Sequence, residues 1–305
     1  MKLVTFIQDD AARLGAIVDS QVVDLAQAYA ACQSCVNPDA LPVELHPDML
    51  ALLQDGWEAW KIADNVVEWV TSLPAEEAAP YLYPLAEVRL GPPLVNPSKI
   101  ICIGLNYHDH CREQGTEVPQ RPLLFAKFPT AIIGPETAIT WPADVSQQVD
   151  YEAELAVVIG REGRNIPVEQ ALDYVAGYTI ANDVSARDVQ FSDGQWVRGK
   201  SFDTFCPIGP YLLTADEVAD PQNLGIRCWV NGDLRQNSNT FEMIFKIPEL
   251  IAFISKTVTL LPGDIIITGT PDGVGVFRKP KVFLQPGDVV EIEIDQLGRL
   301  RNPVA

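Results

Sequence analysis

The chain has 305 residues and a formal net charge of −19, with 22 Lys and Arg against 41 Asp and Glu. Hydrophobic residues make up 47% and charged residues 21% of the sequence, which is typical of globular proteins and not of disordered or fibrous ones. The acidic charge argues against a nucleic-acid partner, which requires Lys and Arg to replace phosphate counterions. It argues equally against binding to anionic membrane surfaces.

The sequence carries no recognisable targeting or membrane-spanning feature. Residues 1–10 contain a short apolar run that ends at two acids, unlike a signal peptide. No run approaches the roughly 18 apolar residues of a membrane span. We therefore expect a cytoplasmic protein. The six cysteines include a lone C-x-x-C at Cys32 and Cys35, which we interpret as packing residues and not as a redox or zinc site.

The first third of the chain predicts a small α/β domain over residues 1–85. Residues 2–8 alternate like a strand, and residues 15–18 supply a hairpin partner. Asp24 is placed to cap a helix that runs to about Cys35, and residues 47–73 have helical apolar spacing. The Pro-rich segment 86–98 is predicted to be a linker.

Residues 99–305 are predicted to form a second, catalytic domain dominated by short strands. Strands are expected at 99–103, 123–127, 152–159, 177–183, 226–231, 264–269 and 289–295, with helices at 107–114, 167–174 and 247–259. This pattern favours an α+β fold with a compact roll or barrel, and not a doubly wound parallel sheet.

Two carboxylates mark the strand predicted at 152–159. Glu152 and Glu154 lie on the same face of that strand because alternate residues share a face. Adjacent anions repel unless a cation joins them, and a hard divalent cation with oxygen ligands suits them. The alternative is a strand end that emerges into solvent. Asp183, at the end of the strand predicted at 177–183, is a third candidate ligand or an ordinary cap.

A histidine and a glutamate share one face of the helix predicted at 107–114. His110 and Glu113 are three residues apart, with Asn106 as the expected N-cap and Gly115 as the expected stop. A carboxylate beside an imidazole raises its basicity, which suits a general base. The alternative is a surface pair of little consequence.

Residues 269–275 form a Gly-rich loop after a predicted strand. Its backbone amides could bind a carboxylate, and the alternative is a plain turn. The Gly199-Lys200-Ser201 segment lacks the spacing and strand–loop–helix context of a phosphate-binding loop, so we reject that interpretation.

Together these segments resemble the fumarylacetoacetate hydrolase superfamily. The matching motifs are residues 104–107 with His110 and Glu113, then 152–155, 183–188, 199–202 and 269–275, in the family's order. The resemblance is greatest to two-domain members with a small N-terminal domain, and it implies a mixed β-roll and a homodimer.

The resemblance also implies a cofactor and roles for single residues. Mg²⁺ or Mn²⁺, with Ca²⁺ as a substitute in crystals, would be held by Glu152, Glu154 and Asp183. His110 and Glu113 would form the catalytic dyad, and Lys200 would stabilise an enolate. Substrate contacts fall at Arg187, Gln190, Thr270 and Lys127. One departure is that residues 102–105 lack the acid that fumarylacetoacetases carry there, which argues for a smaller 2-oxo acid.

The leading hypothesis from the sequence is a metal-dependent enzyme that hydrolyses a C–C bond of an acylpyruvate. The alternatives are an oxaloacetate keto–enol tautomerase and an oxaloacetate decarboxylase, since all three reactions use the same enolate. A hypothesis of another class is a metal-dependent protein that binds a 2-oxo acid without turnover.

Overall fold

The computed structural model describes residues 1–36 and 48–305, with only the backbone of residues 33–36. The side chain of Cys35 and residue 47, where one predicted helix begins, therefore lie outside the described residues. The buried cysteines Cys102, Cys111, Cys206 and Cys228 have free thiols.

The described residues form 18 β-strands and eight α-helices. The strands are β1 (Lys2–Gln8), β2 (Ala11–Val18), β3 (Gln21–Asp24), β4 (Leu82–Pro84), β5 (Arg89–Leu90), β6 (Ile100–Gly104), β7 (Leu123–Lys127), β8 (Ile132–Ile133), β9 (Val149–Asp150), β10 (Ala153–Ile159), β11 (Val175–Asn182), β12 (Ser185–Ala186), β13 (Cys206–Thr214), β14 (Gly225–Val230), β15 (Asp233–Asn239), β16 (Ile265–Ile267), β17 (Val289–Ile294) and β18 (Gly298–Pro303).

The α-helices are α1 (Leu25–Val36), α2 (Met49–Gln54), α3 (Trp57–Ser72), α4 (Ala75–Ala78), α5 (His108–Gln114), α6 (Arg187–Asp193), α7 (Val197–Lys200) and α8 (Ile247–Ser255). Short 3₁₀ helices lie at Ala79–Tyr81, Pro129–Ala131, Val168–Tyr174, Ala215–Glu217, Thr240–Glu242 and Gly275–Phe277. No helix in these described ranges combines the length and the apolar character needed to cross a bilayer.

A large mixed sheet organises the fold, as the α+β prediction requires. Its strands follow the order β4-β3-β2-β1-β13-β11-β10-β16-β6-β7, with β5 added on β1 and β8 on β13. The β6–β16 and β8–β13 pairs are parallel, and the neighbours of β10 and β11 are antiparallel. A second sheet of four antiparallel strands has the order β15-β14-β17-β18, and β9 pairs with β12 in a short ribbon.

Burial explains why individual strands differ in sequence. Every residue of β10 is buried, and its sequence is almost continuously apolar because both faces are covered. In contrast, β17 alternates buried and half-buried residues, as expected of a strand with one face on the core. The helix α3 buries Ala59, Ala63, Val66 and Val70, which recur at helical spacing.

The large sheet runs through the boundary that the sequence predicts between the two domains. Strand β1 pairs with β13, so that Lys2 lies opposite Leu213 and Leu3 opposite Leu212. Strand β5, inside the predicted linker 86–98, pairs with β1. One hydrophobic cluster joins Leu3 and Leu52 to Ile208. The three predicted segments therefore share one sheet and one hydrophobic cluster. Their division into residues 1–85, 86–98 and 99–305 remains a prediction.

Candidate active site and metal centre

A small cavity of about 70 Å³ lies beside the ends of β10 and β6, beneath α5 and α6. Gln114 and seven predicted site residues form its charged and polar lining. The seven are His110, Glu152, Glu154, Arg187, Gln190, Lys200 and Thr270. Aromatic side chains close the other walls, namely Phe125, Phe191, Trp196 and Phe277. The volume suits a substrate of a few heavy atoms.

Strand pairing brings the three predicted metal ligands together. Glu154 lies in β10, and Glu152 immediately precedes that strand. Asp183 immediately follows β11, whose Asn182 lies opposite Ala153 of β10. All three carboxyl groups are buried, and their oxygens lie within 4.8 Å of one another. The solvent-exposed interpretation of the strand end is therefore wrong.

Two buried lysines neutralise part of this negative charge. Lys200, at the end of α7, places Nζ 2.7 Å from a Glu152 oxygen and 2.7 Å from Asp183 Oδ2. Lys127, at the end of β7, places Nζ 2.6 Å from Asp183 Oδ1 and donates to the Val184 carbonyl. Lys127 thus contacts the predicted metal ligand Asp183 but does not line the cavity, where a substrate contact was predicted.

Arg187 adds a third buried cation at the first residue of α6. Its Nη2 lies 2.7 Å from Glu152 Oε1, and its Nε donates to Asp150 Oδ2 at 2.9 Å. Its Nη1 donates to Gln190 Oε1, one turn along the same helix. The two predicted substrate contacts therefore form one hydrogen-bonded unit.

The neighbours of each carboxylate set its proton affinity. Burial raises the pKa of Glu152, but Lys200 and Arg187 outweigh burial, so its pKa is lowered. Burial raises the pKa of Glu154, and the charges of Asp183 and Glu152 raise it further. Burial lowers the pKa of Lys200, but Asp183 and Glu152 more than compensate, so its pKa is raised and it stays an ammonium ion.

The donor set fits Mg²⁺ or Mn²⁺. Three clustered carboxylates offer the oxygen ligands that these hard cations prefer. Within the described residues Glu154 forms no ion pair, and its partner is the Gly269 amide at 2.5 Å. Burial and the charges of Asp183 and Glu152 outweigh the positive charge of Lys200 at this carboxylate. A divalent cation held by Glu152, Glu154 and Asp183 would supply the missing compensation.

The Gly-rich loop binds carboxylates of the protein itself. Besides the Gly269 amide on Glu154, the Gly273 amide donates to Glu113 Oε1 at 3.0 Å. The amides of Gly275 and Val276 donate to Asp150 at 2.7 and 3.0 Å. The loop is thus not a plain turn, because it ties together the metal-ligand strand, the dyad helix and the partner of Arg187.

The predicted dyad forms on α5. His110 Nδ1 lies 3.3 Å from Glu113 Oε2, and His110 is 6% exposed, so the interpretation as a surface pair is wrong. Gly115 ends the helix with a left-handed φ of 64°, as predicted. The N-cap prediction is wrong, because Tyr107 occupies that position. The Asn106 side chain instead exchanges hydrogen bonds with Phe245 and donates to the Thr268 carbonyl.

Two buried residues that support the site are missing from the predictions. Asp150 joins Arg187 to the Gly-rich loop, and Gln236 of β15 joins Ala153 of β10 to Thr270. Asp150 could have been found as the acid two residues before Glu152. Gln236 carries no local sequence signal, because its role depends on how the second sheet packs on the first.

Buried ionisable groups with shifted pKa values around a cavity are typical of enzyme active sites. The protein-family model for the fumarylacetoacetate (FAA) hydrolase C-terminal region matches residues 99–305. The chain therefore belongs to this enzyme family. The match begins where the sequence predicts the catalytic domain to begin, and it confirms the resemblance inferred from the motifs.

Two similar relatives are named as mitochondrial oxaloacetate tautomerases. One from Xenopus laevis is 57% identical over 236 residues, which cover 77% of this chain and 74% of the relative. One from Bos taurus is 56% identical over 271 residues, which cover 88% of this chain and 83% of the relative. These mitochondrial relatives contradict the predicted cytoplasmic location, which is therefore wrong.

Two solved structures cover the whole of this chain and 99% of their own chains. A fumarylacetoacetate hydrolase from Exiguobacterium antarcticum has a TM-score of 0.83 at 37% identity. A maleylpyruvate hydrolase from Sphingobium sp. SYK-6, in complex with manganese(II) and pyruvate, has a TM-score of 0.75 at 35% identity. The fold class predicted from the sequence is confirmed by these neighbours.

Proposed function

We propose that this protein is an oxaloacetate keto–enol tautomerase. The observation that carries the proposal is the 57% identity to a relative with that name. The sequence alone favours acylpyruvate hydrolysis, whereas the relatives support the alternative of an oxaloacetate tautomerase. A cavity of about 70 Å³ with Arg187 and Lys200 in its wall also suits a four-carbon dianion.

The dyad would move the proton at C3 of oxaloacetate. Because Glu113 faces Nδ1 of His110, the neutral imidazole carries its proton on Nδ1, and Nε2 is left free to accept or return a proton. The Gly273 amide fixes the other oxygen of Glu113, which holds the carboxylate in place. Proton transfer at C3 with charge relocation to the C2 oxygen interconverts the keto and enol forms.

The buried cations would stabilise the negative charge that develops on the C2 oxygen. Lys200 has three N–H donors, of which two bond to Glu152 and Asp183, and the third remains for the substrate. Arg187 and Gln190 line the same wall and are suited to hold a carboxylate. A bound divalent cation would supply additional Lewis-acid stabilisation of that charge.

A second candidate function is hydrolysis of an acylpyruvate such as maleylpyruvate. The observation in its favour is the maleylpyruvate hydrolase structure, which contains pyruvate and shares 35% identity with this chain. In that reaction the same His110 would take a proton from water, which attacks the carbonyl carbon beyond C3. Both reactions develop the same enolate charge, so Lys200 serves either.

An assay on the Mn²⁺- or Mg²⁺-loaded protein separates these functions. The enol form of oxaloacetate is added, and its absorbance is followed while pyruvate and CO₂ are measured. A tautomerase accelerates loss of the enol without releasing either product. A hydrolase releases pyruvate from maleylpyruvate, and a decarboxylase releases CO₂ from oxaloacetate.

Matched variants test whether the described site is responsible. Glu154→Gln should reduce the acceleration by about 10²-fold or more, because it removes a carboxylate from the triad. Glu162→Gln makes the same chemical change at an exposed position outside the cavity and should leave the rate unchanged. Wild-type protein that does not accelerate enol loss, or equal rates for the two variants, would contradict the proposal.

A further inference from the structure

The orientation of the Thr270 hydroxyl is determined by a buried glutamine. Thr270 lines the cavity and is 5% exposed. Its Oγ1 lies 2.8 Å from Nε2 of Gln236, which is 1% exposed and is not among the cavity-lining residues. Gln236 therefore does not contact the cavity directly, and Thr270 is the cavity-lining side chain to which it is hydrogen-bonded.

The two ends of the Gln236 amide are identified by their partners. The Ala153 backbone N–H, which can only donate, points at Oε1 at 2.9 Å. The Pro271 carbonyl, which can only accept, lies 3.0 Å from Nε2. A flipped amide would oppose donor to donor and acceptor to acceptor, so the contacts fix which end is the NH₂ group.

This assignment decides the polarity of the Thr270 hydroxyl. Since the NH₂ group of Gln236 donates to Oγ1, the hydroxyl uses an oxygen lone pair there and its proton points elsewhere. Among the described residues Thr270 Oγ1 donates no hydrogen bond. Because Thr270 lines the cavity, its hydroxyl proton can point into the cavity.

We propose that Gln236 is a positioning residue that makes Thr270 a hydrogen-bond donor to an anionic oxygen of the substrate. The ligand class is a small carboxylate whose oxygen accepts from Thr270 while Arg187 and Lys200 supply positive charge. The inference rests on the proposed 2-oxo-acid substrate and adds the residue that sets the direction of one of its contacts.

The substitution Gln236→Glu reverses this polarity with little change of shape. The introduced carboxylate has acceptors only, so Thr270 must donate to it and no longer to the substrate. We expect KM for oxaloacetate and Kd for pyruvate to rise about tenfold, because a charge-assisted hydrogen bond is lost, with a smaller effect on kcat. Pyruvate binding, followed by calorimetry, needs no turnover.

A double-mutant cycle separates the hydrogen bond from the added charge. In a Thr270→Val background no hydroxyl remains to be reoriented, so Gln236→Glu should raise the pyruvate Kd about twofold or less, from charge alone. Thr270→Ser, which retains the hydroxyl, should preserve the tenfold effect. An equal fold-change in the Thr and Val backgrounds would overturn the proposal.

Further measurements separate this outcome from misfolding and from failure of the proposed function. Gln222 accepts from the Ile247 amide through Oε1 at 2.7 Å, outside the cavity, so Gln222→Glu is the matched control and should not change the pyruvate Kd. Gln236→Met is neutral and should weaken pyruvate binding less than Gln236→Glu does. Thermal melting identifies any unfolded variant. If wild-type protein binds pyruvate without turning over oxaloacetate, only the proposed function fails.

Discussion

At the scale of single residues, adjacent carboxylates on one strand face have opposite surroundings. Glu152 lies between Lys200 and Arg187, and its pKa is lowered because these cations outweigh burial. Glu154 has the Gly269 amide as its partner, and burial with neighbouring anions raises its pKa. Among the described residues Glu154 forms no ion pair, and it is therefore the carboxylate with most to gain from a bound metal.

The histidines of α5 provide a matched test of the dyad. His110 is buried against Glu113, whereas His108, two residues earlier, is exposed. His110→Asn should lower kcat about 10²–10⁴-fold, because it removes the proton-transfer group, while pyruvate binding changes little. His108→Asn should retain full activity. Steady-state kinetics check both variants, and equal effects on kcat would show that the dyad is not catalytic.

Much of the candidate site could be predicted at this scale because strand and helix periodicity act locally. Alternation placed Glu152 and Glu154 on one face, and helical spacing placed His110 beside Glu113. Gln236 was missed because its contacts join two sheets through residues far apart in sequence.

At the scale of elements, α6 positions Arg187 and Gln190 in the cavity wall. Hydrogen bonds to Asp188 attach the first turn of α6 to the preceding loop. The Asp188 carboxylate accepts from the Ser146 hydroxyl at 2.6 Å and from the Gln147 amide at 2.9 Å. It also accepts from the Val189 amide. Burial raises the pKa of Asp188, but these hydrogen bonds outweigh burial and lower it.

A lowered pKa in the folded state means that the ionised carboxylate contributes stability above its unfolded pKa. That contribution is lost as the pH falls through the folded pKa. Asp188→Asn should therefore reduce the free energy of unfolding by about 1–2 kcal/mol at pH 7. The difference from wild type should shrink as the pH falls below about 4.

Urea unfolding at several pH values checks the Asp188 prediction. Asp144→Asn, at an exposed position just before the same segment, is the control and should match wild type at each pH. If Asp188→Asn lowered the free energy of unfolding by the same amount at every pH, the ionised carboxylate would not be the source of the stabilisation.

The structure confirms those elements whose signals are local. Strands β6 and β7 begin and end within one residue of prediction, and the Asp24 side chain accepts from the Gln27 amide in the first turn of α1. The helix predicted at 167–174 is a 3₁₀ helix. Strand β13 was not predicted, because its sequence contains Pro207 and Pro210 and its place is set by pairing with distant β1 and β11.

At the scale of the molecule, shared strands predict that the described chain unfolds as one unit. Leu3 is fully buried in β1, opposite Leu212 of β13. Leu3→Ala should cost about 2–5 kcal/mol of stability and lower a single melting temperature. Leu234→Ala, at a 50% exposed position, is the control and should change stability little. Calorimetry that showed two transitions, with only one shifted, would contradict this prediction.

The pairing of β1 with β13 also has a consequence during protein synthesis. Lys2 of β1 lies opposite Leu213 of β13, roughly 210 residues further along the chain. At about 5–20 residues per second, a ribosome needs roughly 10–40 s to make the intervening segment. Until then the edge of β1 that β13 will cover has no native partner. Nascent chains of this protein therefore expose an unpaired strand edge until β13 has been synthesised, and association with chaperones or with other nascent chains competes with folding during that time.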